Sequence, residues 1–164
     1  MSKKLSLRQN FPQITVLSIG ACEEDHVGLS NILAVAQSPS CPELRWKLET
    51  SSSLHAALRL LKAGKVPIVL CESDMGDESW KDLLDQLSGL PDPPCLIVTS
   101  RLADNYLWAE ALNLGAYDVL AKPFDSCEVI RVFSSAWLRR QNRQPVSAQT
   151  LAPMFLNGAA ATAN

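Results

Sequence analysis

With 164 residues, 47% of them hydrophobic, the chain is sized for one domain with a real apolar core. Its 15 Lys and Arg against 17 Asp and Glu leave a formal net charge of −2 and no basic stripe, which excludes nucleic acid as the expected partner. No run approaches the ~18 apolar residues of a membrane span, and the basic start "MSKKLSLRQN" has no apolar stretch behind it, so the sequence predicts no membrane contact, no signal peptide and a cytoplasmic location.

From residue 14 onward, apolar strand-like runs alternate with helix-like segments. "ITVLSIG" (14–20) reads as the first strand. "EEDHVGLSNILAVAQ" (23–37) places Leu29, Ile32, Leu33 and Ala36 at helical spacing, with acids in the first turn where the helix dipole favours them. "LRWKL" (44–48) alternates apolar and polar residues, as a half-exposed strand does. "SSSLHAALRLLKAG" (51–64) is a helix capped by serines and stopped by Gly64. "VPIVLCE" (66–72) is a buried strand that ends on a carboxylate, and "SWKDLLDQLSGL" (79–90) is the third helix, opened by Ser79. After the "PDPP" loop, "CLIVTS" (95–100) is a strand and "ADNYLWAEALNLG" (103–115) a helix ended by Gly115. "YDVLAKP" (117–123) and "DSCEVIRVFSSAWLRRQ" (125–141) complete the series, with Arg139 and Arg140 at the cation-favouring end of the last helix.

Five strand–helix units in succession require parallel pairing through right-handed crossovers. The expected fold is therefore α/β: a doubly wound, five-stranded parallel sheet with five helices, its site at the carboxyl ends of the strands. The expected organisation is an N-terminal tail at 1–12, the folded domain at 13–141 and a disordered tail at 142–164, with no further domain. The five cysteines (Cys22, Cys41, Cys71, Cys95 and Cys127) form no C-x-x-C pair, and His26 and His55 stand far apart in sequence, so free thiols are expected and zinc is not.

The strand ends gather a particular set of groups. The first strand ends near Glu23 and Glu24, the third at Glu72 with Asp74 behind it, the fourth at Thr99 and the fifth at Lys122. Singly these are ordinary loop residues. Together they bring acids, a hydroxyl and an ammonium to one edge of the sheet.

At "LCESDM", "LIVTS" and "GAYDVLAKPFD" the sequence resembles the receiver domains of bacterial two-component response regulators, the CheY-like family, over about residues 14–138. That resemblance implies the strand order 2-1-3-4-5, a cis Lys122–Pro123 bond, and Thr99 as the hydroxyl that reports phosphorylation. It implies that Glu72 stands where the family has its phosphoacceptor aspartate, since Met75 follows at the family's spacing. In the family the acceptor becomes an acyl phosphate, Mg2+ bridges the carboxylates and the phosphoryl group, and the lysine pairs with the phosphoryl oxygens. Three departures stand out. The acceptor is a glutamate, the metal-binding acidic pair aligns with Ala21-Cys22, and the aromatic switch position of the last strand is Val119. Glu23 and Glu72 are the metal ligands that remain, for weak binding of Mg2+ at most. The reading that follows is a stand-alone, non-enzymatic pseudo-receiver. It signals by protein contact with a histidine kinase or an effector through the fourth helix, fifth strand and fifth helix, and a homodimer is left open. Two alternatives stay open as well: a phosphorylation-competent receiver that uses Mg2+, and a flavodoxin-like nucleotide-binding enzyme. The last is opposed by the acidic "SIGACEEDH", where a phosphate cradle needs bare backbone amides.

Overall fold

A computed structural model describes residues 12–37, 44–63 and 65–143. The expectations placed on most of both tails, and on Gly64, lie outside the described residues. The elements run β1 (Gln13–Ile19), α1 (Glu23–Ala36), β2 (Arg45–Ser51), α2 (Leu54–Ala63), β3 (Ile68–Glu72), α3 (Trp80–Ser88), β4 (Cys95–Ser100), α4 (Asn105–Leu114), β5 (Asp118–Ala121) and α5 (Ser126–Arg143). All strand pairs are parallel and the order is β2-β1-β3-β4-β5. This is the expected topology, reached because each crossover helix needs an apolar sheet face to cover.

Element ends differ from the sequence reading for local reasons. β3 begins at Ile68, because Pro67 has no N–H to give to a ladder. β2 continues to Ser51, paired with β1 from Gln13↔Arg45 through Ile19↔Ser51. α2 accordingly starts at Leu54, where the Ser53 hydroxyl accepts from the Ala56 amide at 3.3 Å. α4 is capped at both ends: the Asp104 carboxylate accepts from the Leu107 amide at 2.8 Å, and Gly115 takes the left-handed conformation at φ 110°. Arg140, at the cation-favouring end of α5, is buried. It donates to the Pro93 carbonyl at 2.6 Å and pairs with the Asp92 carboxylate, fastening the 91–94 loop to α5.

Strand alternation divides the core in two. Ile14, Val16, Ile68, Leu70, Ile97 and Leu120 face α1 and α5, where they meet Leu29, Leu33 and Phe133. Leu17, Val69, Cys71, Leu96, Val98 and Val119 face the other helices, meeting Leu61, Leu83 and Ala111. On the first side, Phe133 packs edge-on against Trp46, with ring centroids 5.7 Å apart. Trp108 and Trp137 are half-buried, one against each cluster.

The burial pattern sets the ranking of substitutions. Phe133→Ala should cost about 3–5 kcal/mol in urea unfolding, because the surrounding core cannot close around the lost ring. Tyr106→Ala, at a side chain 80% exposed, should stay within ~0.5 kcal/mol. Equal losses at the two positions would contradict the packing described.

Candidate functional site

The same alternation determines which side chains meet at the sheet's carboxyl edge. Ile68 and Leu70 face α1, so Glu72 does too. Counting on from Ile97, Leu120 and Val16 in the same way puts Thr99, Lys122 and Gly20 on that face as well. These residues, with Asp25 and Cys22 from the start of α1, line one small cavity.

Lys122 is at its centre. Its ammonium donates to Glu72 Oε1 at 2.7 Å and to Asp25 Oδ2 at 2.7 Å. The Lys122 side chain is 3% exposed, against 15% for Asp25 and 18% for Glu72. A buried ammonium with no partner would be costly, and two carboxylates held this close would repel without a cation between them, so each charge needs the others in place. A second cation, Arg101 in the loop between β4 and α4, reaches Asp25 from the solvent side, at 3.2 and 3.4 Å from its two oxygens. Burial raises the Asp25 carboxyl. The hydrogen bond and charge of Lys122 and the charge of Arg101 outweigh it, and Asp25 stays below its ordinary value of 3.8.

Glu72 fits because of Gly20. β1 and β3 pair at Ile19↔Cys71, which sets Gly20 beside Glu72. A Cβ on Gly20 would stand 3.0 Å from Glu72 Oε2. The space for the longer acid is the space a side chain at residue 20 would fill. At the expected acidic-pair positions stand Ala21, which is exposed, and Cys22. The backbone position flanking Glu72 is Gly20, and Cys22 is the N-cap of α1.

The other predicted acids lie elsewhere. Glu23 and Glu24 are exposed, and the Glu23 side chain, 88% exposed, approaches only His26 at 3.9 Å. The acid that enters the site is Asp25, which the sequence reading did not single out. A signal for it was available: Asp25 lies one turn before Leu29, on the face that α1 buries. Asp74 is exposed and accepts from the Gly76 amide at 3.4 Å within its own turn. Thr99 is buried beside Glu72 in the β3–β4 register, and its carbonyl accepts from the Ser73 amide at 2.8 Å. Val119 is fully buried on the opposite face of the sheet, away from the cluster. The Lys122–Pro123 peptide is cis. A further acid missed from sequence, Glu78, caps α2 by accepting from the Leu54 amide at 2.8 Å, which ties the loop after β3 to a neighbouring helix.

The family that the sequence resembles holds Mg2+ at its phosphorylation site. Mg2+ requires near-octahedral oxygen ligands with several waters. Here the cavity is about 10 Å³, room for one water at most. Both Asp25 oxygens face Arg101 and one also meets Lys122, Glu72 Oε1 is held by Lys122, and Gly20 has no side-chain oxygen to offer. Among the described residues, no three His, Cys, Asp or Glu side chains converge as a metal site. The residues present do not fit the ion. Glu23, expected as a ligand, stands in solvent, and Glu72 has Oε1 engaged by Lys122.

Comparisons with known proteins agree on the kind of domain. The profile of the response regulator receiver domain matches residues 23–133. A curated relative, the DNA-binding transcriptional regulator NtrC of Rhizobium meliloti (strain 1021), is 30% identical over 124 residues. That alignment takes in 74% of this chain and 24% of the relative, so the chain spans about a quarter of that protein's length. Among solved structures, the signal receiver domain of an HD domain-containing protein from Pseudomonas fluorescens Pf-5 superposes with a TM-score of 0.67 at 21% identity, covering 80% of this chain and 99% of that domain. A response regulator receiver domain protein from Clostridium thermocellum gives 0.66 at 18% identity, covering 79% and 98%. At these identities the structural likeness establishes the fold.

Two outcomes follow from the cluster's charges. Lys122→Met leaves Asp25 and Glu72 facing each other without their shared cation. It should cost about 3–5 kcal/mol in denaturant unfolding at neutral pH, and a loss no larger than a surface lysine's would mean the ammonium is not buried between them. Because the native Asp25 carboxyl lies below 3.8, its stabilisation is complete above that value and is lost as the pH falls through the lowered native value. Asp25→Asn should therefore be less stable than the unaltered chain at pH 7, and the gap should close progressively below pH 3.8 in acid-unfolding curves.

Proposed function

Since the chain belongs to the response regulator receiver domain family, we propose that it acts in two-component signalling as a pseudo-receiver, with Glu72 in the phosphoacceptor place and its output carried by protein contact. Receiver domains are signalling modules that work with histidine kinases and effectors. The finer reading for this chain is that its site stays in one charge state instead of cycling. The observation that carries it is the 2.7 Å contact of Glu72 Oε1 with the buried Lys122 ammonium, made possible by the missing side chain at Gly20. In an acyl phosphate the phosphoryl oxygens take that lysine. Here a permanent carboxylate takes it, one methylene (roughly 1.5 Å) further out than an aspartate would reach.

The partner surface proposed is the face of α4, β5 and α5. Leu102 and Tyr106 are 82% and 80% exposed, just before and at the start of α4, and Leu112, Leu114 and Leu138 are exposed elsewhere on α4 and α5. Exposed aliphatic and aromatic side chains at a helix face suit a docking partner's apolar anchors. No helix among the described residues is long and apolar enough to cross a membrane; we place the domain's work in the cytoplasm, with its kinases and effectors.

Acetyl phosphate with Mg2+ tests the reading. The unaltered chain should take up no phosphoryl group by intact-protein mass spectrometry. Glu72→Asp alone should add little, because Gly20 still supplies no metal ligand. Gly20→Asp combined with Glu72→Asp should gain uptake most, since the shorter acceptor vacates the space the new carboxylate needs. Ready phosphorylation of the unaltered chain would replace this reading with that of a phosphorylation-competent receiver.

A further inference from the structure

Arg101 does more at the site than lower the Asp25 carboxyl. One of its guanidinium nitrogens contacts both oxygens of Asp25, at 3.2 and 3.4 Å, and lies 3.7 Å from the Cys22 sulfur. Its side chain is 59% exposed while that of Asp25 is 15% exposed, so Arg101 covers the cluster from outside as Lys122 fills it from within. Without Arg101, two carboxylates would share one ammonium and the site would keep a negative charge. With it, the site is neutral. A neutral, enclosed site has no electrostatic call for a metal.

We propose that Arg101 is a built-in replacement for the divalent cation of a receiver site. Its guanidinium takes the carboxylate edge of Asp25 that a metal would need, and it ties the loop after β4 to α1. The inference rests on the pseudo-receiver reading only in taking this cluster as the receiver site. It goes further in naming what keeps the metal out: the site is already loaded with a cation from the protein's own chain. A guanidinium suits this because it stays charged at every working pH and spans both oxygens of a carboxylate.

The test compares the unaltered chain with Arg101→Ala and Arg101→Lys. Mn2+ binding is read by electron paramagnetic resonance, and melting temperature is read in MgCl2 against NaCl of equal ionic strength, which removes simple screening. The unaltered chain and Arg101→Lys should bind no Mn2+ at millimolar concentration and melt alike in both salts. Arg101→Ala, with one carboxylate charge left uncompensated, should bind Mn2+ at millimolar concentration and should melt higher in MgCl2 than in NaCl. Because the Arg101 side chain is largely exposed, the variant is expected to fold, and its melting curve reports directly if it does not. The proposal is overturned if the unaltered chain binds Mn2+ as tightly as Arg101→Ala, or if Arg101→Ala remains as blind to both ions. The two readings fail separately. Mn2+ binding by the unaltered chain without phosphate uptake removes the role of Arg101 alone. Phosphate uptake by a chain blind to Mn2+, with a gain in Arg101→Ala, removes the pseudo-receiver reading alone.

Discussion

The buried ammonium of Lys122 is the constraint on which the rest of the site depends. Its side chain is 3% exposed, and a charge so placed requires anionic partners at hydrogen-bonding distance. Two arrive from separate parts of the chain, Glu72 at the end of β3 and Asp25 from the first turn of α1. The lysine thereby joins the ends of β5 and β3 to α1 at the carboxyl edge of the sheet. The β4 end is drawn in twice more, through Ser73 donating to the Thr99 carbonyl and through Arg101 reaching Asp25.

Glu72 and Gly20 are best understood as one feature. A carboxylate on a longer stem needs volume, and in a close-packed region that volume has to come from a neighbour. The β1–β3 register makes Gly20 that neighbour, and a Cβ there would stand 3.0 Å from the Glu72 oxygen. The loss of a side chain in one strand and the gain of a methylene in the next are thus linked by geometry. The linkage also removes a metal ligand, because the residue that makes room for Glu72 has no oxygen to give. Room for the longer Glu72 and the lack of a side-chain oxygen at residue 20 thus have one source.

Much of this was legible in the sequence and some was not, for physical reasons. The parallel, two-faced sheet followed from five apolar runs separated by amphipathic segments, and the strand order from the family resemblance. The proximity of Glu72 and Lys122 followed from strand order. The count of two along each strand could have gone further, placing Gly20 and Thr99 on the α1 face as well. Asp25 was missed because three acids in a row invite attention to the first two, while a helix buries by rotation and not by order. His26, Leu29 and Leu33 form the inward stripe, and Asp25 falls on its edge. Arg101 and Glu78 were out of reach. Both act from loops, and where a loop side chain lands depends on the loop's path, which no periodicity encodes.

The loop that carries Arg101 also leads into the surface proposed for output. Leu102 follows directly, Asp104 caps α4, and Tyr106 stands exposed in the first turn of that helix. A receiver that switches has to let this segment move between two positions, each stabilised by a different state of the site. On the pseudo-receiver reading proposed above, the charges of the site all belong to the protein, and no phosphoryl group or metal separates two states of it. The ion pair to Asp25 and the hydrogen bond from Ser73 then favour one position of the segment. A surface held in one position can still carry regulated signalling if the variable is the partner: its abundance, its own modification, or its competition for the Leu102 and Tyr106 face. The energetic requirement on the domain is then preorganisation, since a docking face that need not be ordered on contact loses less entropy when it binds.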